Sequence, residues 1–139
     1  MSDFIGRTQR FADQIGPWKA EALHQTLDLD GPAPGLGDPL PHFWHWIYFL
    51  ESRPLRDLGR DGHPMTGGFI PDLGLPRRMW AGSAIEFLRP LNFPDTVERE
   101  SEIASVSVKD GRSGTLAFTD ISHSLWADGK EAIRETQTL

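Results

Sequence analysis

TVERESEIASVSVKDGRSGTLAFTDISHSLWADGKEAIRETQTL, residues 96–139, decides the fold. Its apolar residues alternate with polar ones, which is the two-residue period of a strand. Val97 and Ile103 share one parity, whereas Ala104, Val106 and Val108 hold the other. A change of parity inside one strand predicts a bulge or a strong bend. Residues 114–126 repeat the change, from Leu116 and Phe118 to Ile121 and Leu125. Asp110-Gly111 and Asp128-Gly129 are hairpin signals, because both residue types tolerate positive φ. The last strand begins near Glu131 and is still running at Leu139. A sheet that stops in mid-strand has either been cut or continues elsewhere. Just upstream, Ile85 and Phe87 flank Glu86 and mark one more short strand.

Ahead of the strands lies a segment rich in breakers, residues 31–82. GPAPGLGDPLP is a loop. PHFWHWIYFLE, residues 41–51, opens on a proline and is apolar nearly all round, which predicts a helix enclosed by other elements. Residues 56–76 then form a long aperiodic loop, of the kind that covers a site. Residues 1–30 read as an N-terminal helical segment, with Phe11, Ile15, Trp18, Ala22, Leu23 and Leu27 at three- and four-residue spacing. Pro17 suits the first turn of a second helix there. Residues 31–139 then make a single α+β domain, an antiparallel bent sheet wrapped around the buried apolar helix. The outer edge of that sheet needs a cover, so a dimer or a second, similar domain is expected.

At 139 residues the chain is long enough for one core. The net charge of −6 argues against a nucleic-acid partner. No apolar run approaches the roughly 18 residues of a membrane helix, and MSDFIGRTQRF carries no signal-peptide core. The absence of cysteine excludes disulfides, thiolate metal sites and a cysteine nucleophile. A cytoplasmic home is the expectation. The cations are unevenly spread, since the seven between Arg53 and Arg99, out of 14 in all, are all arginine. That middle segment can meet an anionic group although the whole chain repels one.

WHWIYFL (44–50), DGHPMTGGFIP (61–71), LPRRMWAG (75–82), IEFLRPL (85–91) and GRSGTLAF (111–118) resemble the N-terminal half of mesaconyl-CoA (3-methylfumaryl-CoA) hydratases. These are related to MaoC-like enzymes and 3-hydroxyacyl-thioester dehydratases. The resemblance covers about residues 18–139. It implies a hot-dog fold and reversible addition of water to an enoyl-CoA, with the CoA thioester as substrate and no other cofactor or metal. It also implies an Asp–His pair for proton transfer, carried by a second hot-dog half.

Candidate residues follow. Asp38 and His42 are four apart, one short of the family spacing, and read as loop residues before a helix. Trp44 and His45 shape a pocket; His45 is otherwise a core residue with one hydrogen bond, or a catalytic group. Asp61 and His63 read as turn residues that could assist a neighbouring pocket. Asp120 and His123 have odd spacing, hence opposite faces of a strand. Gly67-Gly68-Phe69 is a bend that lets backbone approach a ligand. Arg77 and Arg78 offer planar forks for the phosphates of coenzyme A, and Trp80 a surface for its adenine or pantetheine arm. Strand-edge arginines beside a core tryptophan are the alternative. Three functions are consistent with this: the substrate-binding half of a MaoC-like hydratase, a self-sufficient homodimeric dehydratase or thioesterase using His45, Asp61 or His63, and a non-catalytic acyl-CoA binder or scaffold.

Overall fold

The computed structural model describes residues 3–139. Five strands form one antiparallel sheet: β1 (Thr8–Gln14), β2 (Gly82–Phe87), β3 (Thr96–Gly111), β4 (Gly114–Ala127) and β5 (Lys130–Thr138). Their order is β1-β3-β4-β5-β2, so β1 and β2 are the edges. One α-helix, α1 (Pro17–Thr26), and two 3-10 turns, Trp44–Ile47 and Leu55–Asp57, complete the regular structure. No helix among the described residues is long and apolar enough to cross a membrane.

The change of parity in β3 is a register shift. Ile103 pairs with Ile121 and Ser105 with Asp120, which leaves Ala104 as the extra residue. Asp128 and Gly129 have φ of 50° and 70°, the left-handed pair of a tight hairpin whose twist matches its strands. The β3–β4 hairpin closes slightly later than Asp110-Gly111, because the ladder runs on to the Gly111–Gly114 pair. A second register shift lies between β4 and β5, at Leu125 and Trp126.

Two expectations are corrected. Residues 41–51 are not a helix. Only Trp44–Ile47 make a single 3-10 turn, bounded by Phe43 at φ 74° and by extended Tyr48. Its backbone bonds, such as Trp46 N–H to the Phe43 carbonyl and Tyr48 N–H to the His45 carbonyl, span three residues rather than four. Trp, His, Phe, Ile and Tyr are all mediocre helix formers, so the drive to bury aromatic rings prevails over weak helical preference. Tyr48 and Phe49 sink into the core beside Leu125 and Ile133. Residues 1–30 are not a purely helical segment either. Residues 8–14 form β1, laid along β3 from Thr8 against Glu102 to Gln14 against Thr96. The long β3 offers an unpaired edge, and strand pairing there outweighs a helical spacing that one strand face also satisfies. Only α1 is helical. Pro17 occupies its first turn, and Ala20 and His24 are buried.

The inner face of the sheet is built in rows. Phe11, Arg99, Leu125, Ile133 and Phe87 are cross-strand neighbours in one row. Ser101, His123, Glu135 and Ile85 make the next, and Ile103, Ile121, Gln137 and Ser83 the third. The first row joins the hydrophobic core; the second is mostly polar. With one turn in place of a long helix, the aromatic segment covers the first row and leaves the second beside a hollow.

Candidate functional site

That hollow has a volume of about 450 Å³. Its floor is Arg99, His123, Glu135 and Gln137; Trp46, Phe49 and Trp80 are among its walls. A polar residue in the middle of a buried strand face must find partners. Here most do. Glu135 accepts a hydrogen bond from His45 Nε2 at 3.0 Å, with both side chains nearly fully buried. Trp46 Nε1 donates to both oxygens of the same carboxylate, at 3.1 and 3.2 Å. Burial pushes the Glu135 carboxyl up, but the hydrogen bonds from His45, Trp46 and Ser83 outweigh it and hold it below the usual carboxylate range. An ionised carboxylate can only accept, so His45 Nε2 carries a proton.

His123 sits one strand over. Its Nδ1 meets Ser101 Oγ at 2.7 Å, and its Nε2 meets Gln137 Oε1 at 3.0 Å. Nε2–H donates to the amide oxygen and Nδ1 accepts from the hydroxyl, which satisfies the neutral ring. Burial pushes the His123 imidazole down, the Gln137 bond opposes this, and the Arg99 charge adds to the depression. Arg99 is different. Its guanidinium carbon lies 5.6 Å from the Phe11 ring centre and 5.1 Å from that of Phe49. Its Nε is buried without a hydrogen-bond partner, and so is His45 Nδ1. Burial lowers the Arg99 basicity against the pull of Glu51 and Glu135.

A second cleft, of about 750 Å³, lies on the loop side and is lined by Arg60, Asp61, Met65, Arg77, Arg78 and Met79, among others. Arg78 Nη2 is 3.6 Å from Asp61 Oδ2, and His63 Nδ1 is 3.3 Å from the same oxygen. The exposed Asp61 carboxyl is held below its ordinary value, first by the His63 backbone N–H and also by Arg78. Arg77 is exposed. Met79 lines this cleft, and its chain neighbour Trp80 lines the inner hollow.

The structure therefore sorts the candidate residues into groups. His45 and Trp80 face the inner hollow, while Asp61, Arg77 and Arg78 line the outer cleft. Trp44 packs against the core. In the bend at residues 67–69, Gly67 N–H is taken by the Ile70 carbonyl and the Gly68 carbonyl by Arg7. His42 stacks on Phe87 with ring centres 3.9 Å apart, away from Asp38, whose carboxylate accepts from Gly35 N–H. Asp120 accepts from Ser105 and Thr138 and does not meet His123, as their opposite parity requires. Glu135, Arg99 and Ser101 were not singled out from sequence. The available signal was parity: Arg99 and Ser101 fall between Val97 and Ile103, and His123 between Ile121 and Leu125, on faces otherwise apolar.

The five-stranded antiparallel sheet with its long, bulged strand is a hot-dog fold, shared with solved dehydratase and hydratase structures. Residues 43–139 match the family model for hydroxyacyl-thioester dehydratase type 2, and the chain belongs to that family. Among individual proteins, the chain is 41% identical over 136 residues to a mesaconyl-C(4)-CoA hydratase of Chloroflexus aurantiacus. The alignment covers 98% of this chain and 49% of that protein, so the chain spans about half the length of the curated relative it matches. Solved structures share the fold at low identity. The C-terminally truncated HadBC (3R-hydroxyacyl-ACP dehydratase) complex of Mycobacterium tuberculosis has a TM-score of 0.58 at 14% identity, covering 99% of this chain and 96% of that one. The (R)-hydratase of A. caviae gives 0.52 at 13%, covering 96% and 93%. A MaoC-like dehydratase of Rhodospirillum rubrum gives 0.52 at 16%, covering 96% and 89%.

Proposed function

We propose that this chain is the substrate-binding hot-dog half of a MaoC-like enoyl-CoA hydratase acting on a substrate such as mesaconyl-CoA. One observation carries the reading: 41% identity over nearly the whole chain to a mesaconyl-C(4)-CoA hydratase of which it spans 49%. In the reaction a hydroxyl joins the β-carbon and a proton the α-carbon, through an enolate on the thioester oxygen. The Asp–His pair that moves these protons comes from a second hot-dog domain or subunit. This chain contributes the room. The acyl group enters the 450 Å³ hollow, the pantetheine arm passes Trp80, and the phosphates reach the arginine-lined outer cleft, where Arg60 and Arg77 are exposed cations.

Two measurements test this. The isolated chain should bind a CoA thioester without hydrating it, and turnover should appear when a catalytic hot-dog partner is added. Robust turnover by the chain alone overturns the division of labour. Arg77→Ala should weaken CoA-thioester binding in a salt-dependent way; unchanged affinity in both Arg77→Ala and Arg78→Ala removes the outer cleft from the site. A self-sufficient enzyme is the second reading, and the buried His45–Glu135 pair at 3.0 Å favours it. It requires His45→Ala to abolish turnover of the isolated chain. Affinity without turnover even in the presence of the partner would leave a non-catalytic binder.

A further inference from the structure

We propose that Arg99 is a specificity-determining residue that binds a free carboxylate on the acyl group of the substrate, so that the inner hollow selects dicarboxylic monothioesters over simple fatty acyl thioesters. The proposal rests on the reading of this chain as a CoA-thioester binder. It begins with an imbalance. An arginine held between Phe11 and Phe49 gives up hydration, and proteins ordinarily repay this with an anion. Among the described residues Arg99 has no ion pair. The two carboxylates whose fields reach it are occupied elsewhere. Glu135 is held by His45 and Trp46, and Glu51 by Arg53.

Among the described residues, the two buried side-chain atoms left without partners are Arg99 Nε and His45 Nδ1, and both residues line the same hollow. With Nε2 protonated toward Glu135, His45 Nδ1 is an acceptor, so the unsatisfied buried donor is Arg99 Nε–H, and a buried donor without a partner indicates a missing acceptor. The guanidinium fork fits a carboxylate in its own plane. Phe49 and Leu125 give the carbon chain an apolar wall, and Trp80 also lines the hollow. A methylfumaric monothioester carries such a free carboxylate a short chain away from its thioester; a butenoyl thioester has a methyl group there instead. Binding the latter leaves the guanidinium unpaired, and this cost is the source of discrimination.

The test is calorimetric titration of the full chain with succinyl-CoA and butyryl-CoA, unreactive as hydration substrates and alike except for carboxylate against methyl. Wild type should bind succinyl-CoA more tightly by about tenfold or more, the worth of a charged hydrogen bond. Arg99→Gln should erase that preference while leaving butyryl-CoA affinity within about threefold. Arg99→Lys keeps the charge without the fork and should retain part of the preference; it also serves if the glutamine variant does not fold. Equal wild-type affinity for the two thioesters overturns the role of Arg99 and leaves CoA binding standing. A parallel loss of both affinities in a folded variant does the same. No binding of either thioester overturns the parent reading and this inference together.

Discussion

Removing the Glu135 carboxylate should expose how the polar row is held together. Glu135→Leu leaves His45 Nε2–H buried with no acceptor, which costs about 1–3 kcal/mol. It also strips a partner from Trp46 Nε1, a smaller loss of about 0.5 kcal/mol because Trp46 is half exposed and water can reach it. Adding the lost charge-assisted attraction gives about 3 kcal/mol in all. His45→Leu removes the other half of the pair and should cost a similar amount, since it leaves a buried carboxylate with only Trp46 and Ser83. The double variant puts two apolar side chains face to face. Its cost should be about 3 kcal/mol rather than the sum of about 6, a coupling of about 3 kcal/mol. Urea denaturation followed by tryptophan fluorescence reads all four corners of the cycle, provided the slopes agree. Additivity within about 0.5 kcal/mol would falsify the idea that the pair is a mutually dependent unit.

Three further outcomes are expected. The His123 imidazole is depressed from its ordinary 6.5, so below that value the unfolded chain binds a proton that the native chain refuses. Stability should fall as pH drops from about 7.5 to about 5.5, and His123→Gln should flatten the fall; identical pH profiles would count against a neutral buried His123. Gly129→Ala should cost about 1 kcal/mol because its φ is 70°, whereas Gly82→Ala, in extended β2 with open space around it, should stay within about 0.5 kcal/mol. Equal thermal shifts for the two would refute the conformational argument. Leu125→Ala empties a buried position between Arg99 and Ile133 and should cost about 2–5 kcal/mol by chemical denaturation; a loss under about 1 kcal/mol would mean the first row of the face is not core.

What could be read beforehand was decided by local chemistry. Strand periodicity, the bulge after Ile103 and the Asp128-Gly129 turn are consequences of neighbours in the chain, and each is visible in the letters. The aromatic segment was misread because an all-apolar run carries no period, and nothing local distinguishes a buried helix from a buried turn. β1 was misread because its conformation is chosen by the free edge of β3, far away in sequence. The site was half legible. His45 and Trp80 were picked out by residue type, but their partner Glu135 lies 90 positions from His45, and only the sheet register brings them together. Arg77 and Arg78 stand out in the letters as a cluster, whereas nothing local marks the solitary Arg99, which lies against two aromatic rings.

Residues 44–50 owe little to the ladders beneath them. Their main-chain bonds run within the turn, and Phe49 N–H reaches one side chain, Asp13. Trimming the half-exposed Trp46 there would reshape the hollow without breaking a backbone rung of the sheet. The ladder of the sheet and the contour of the space above it are thus written in separate stretches of the chain.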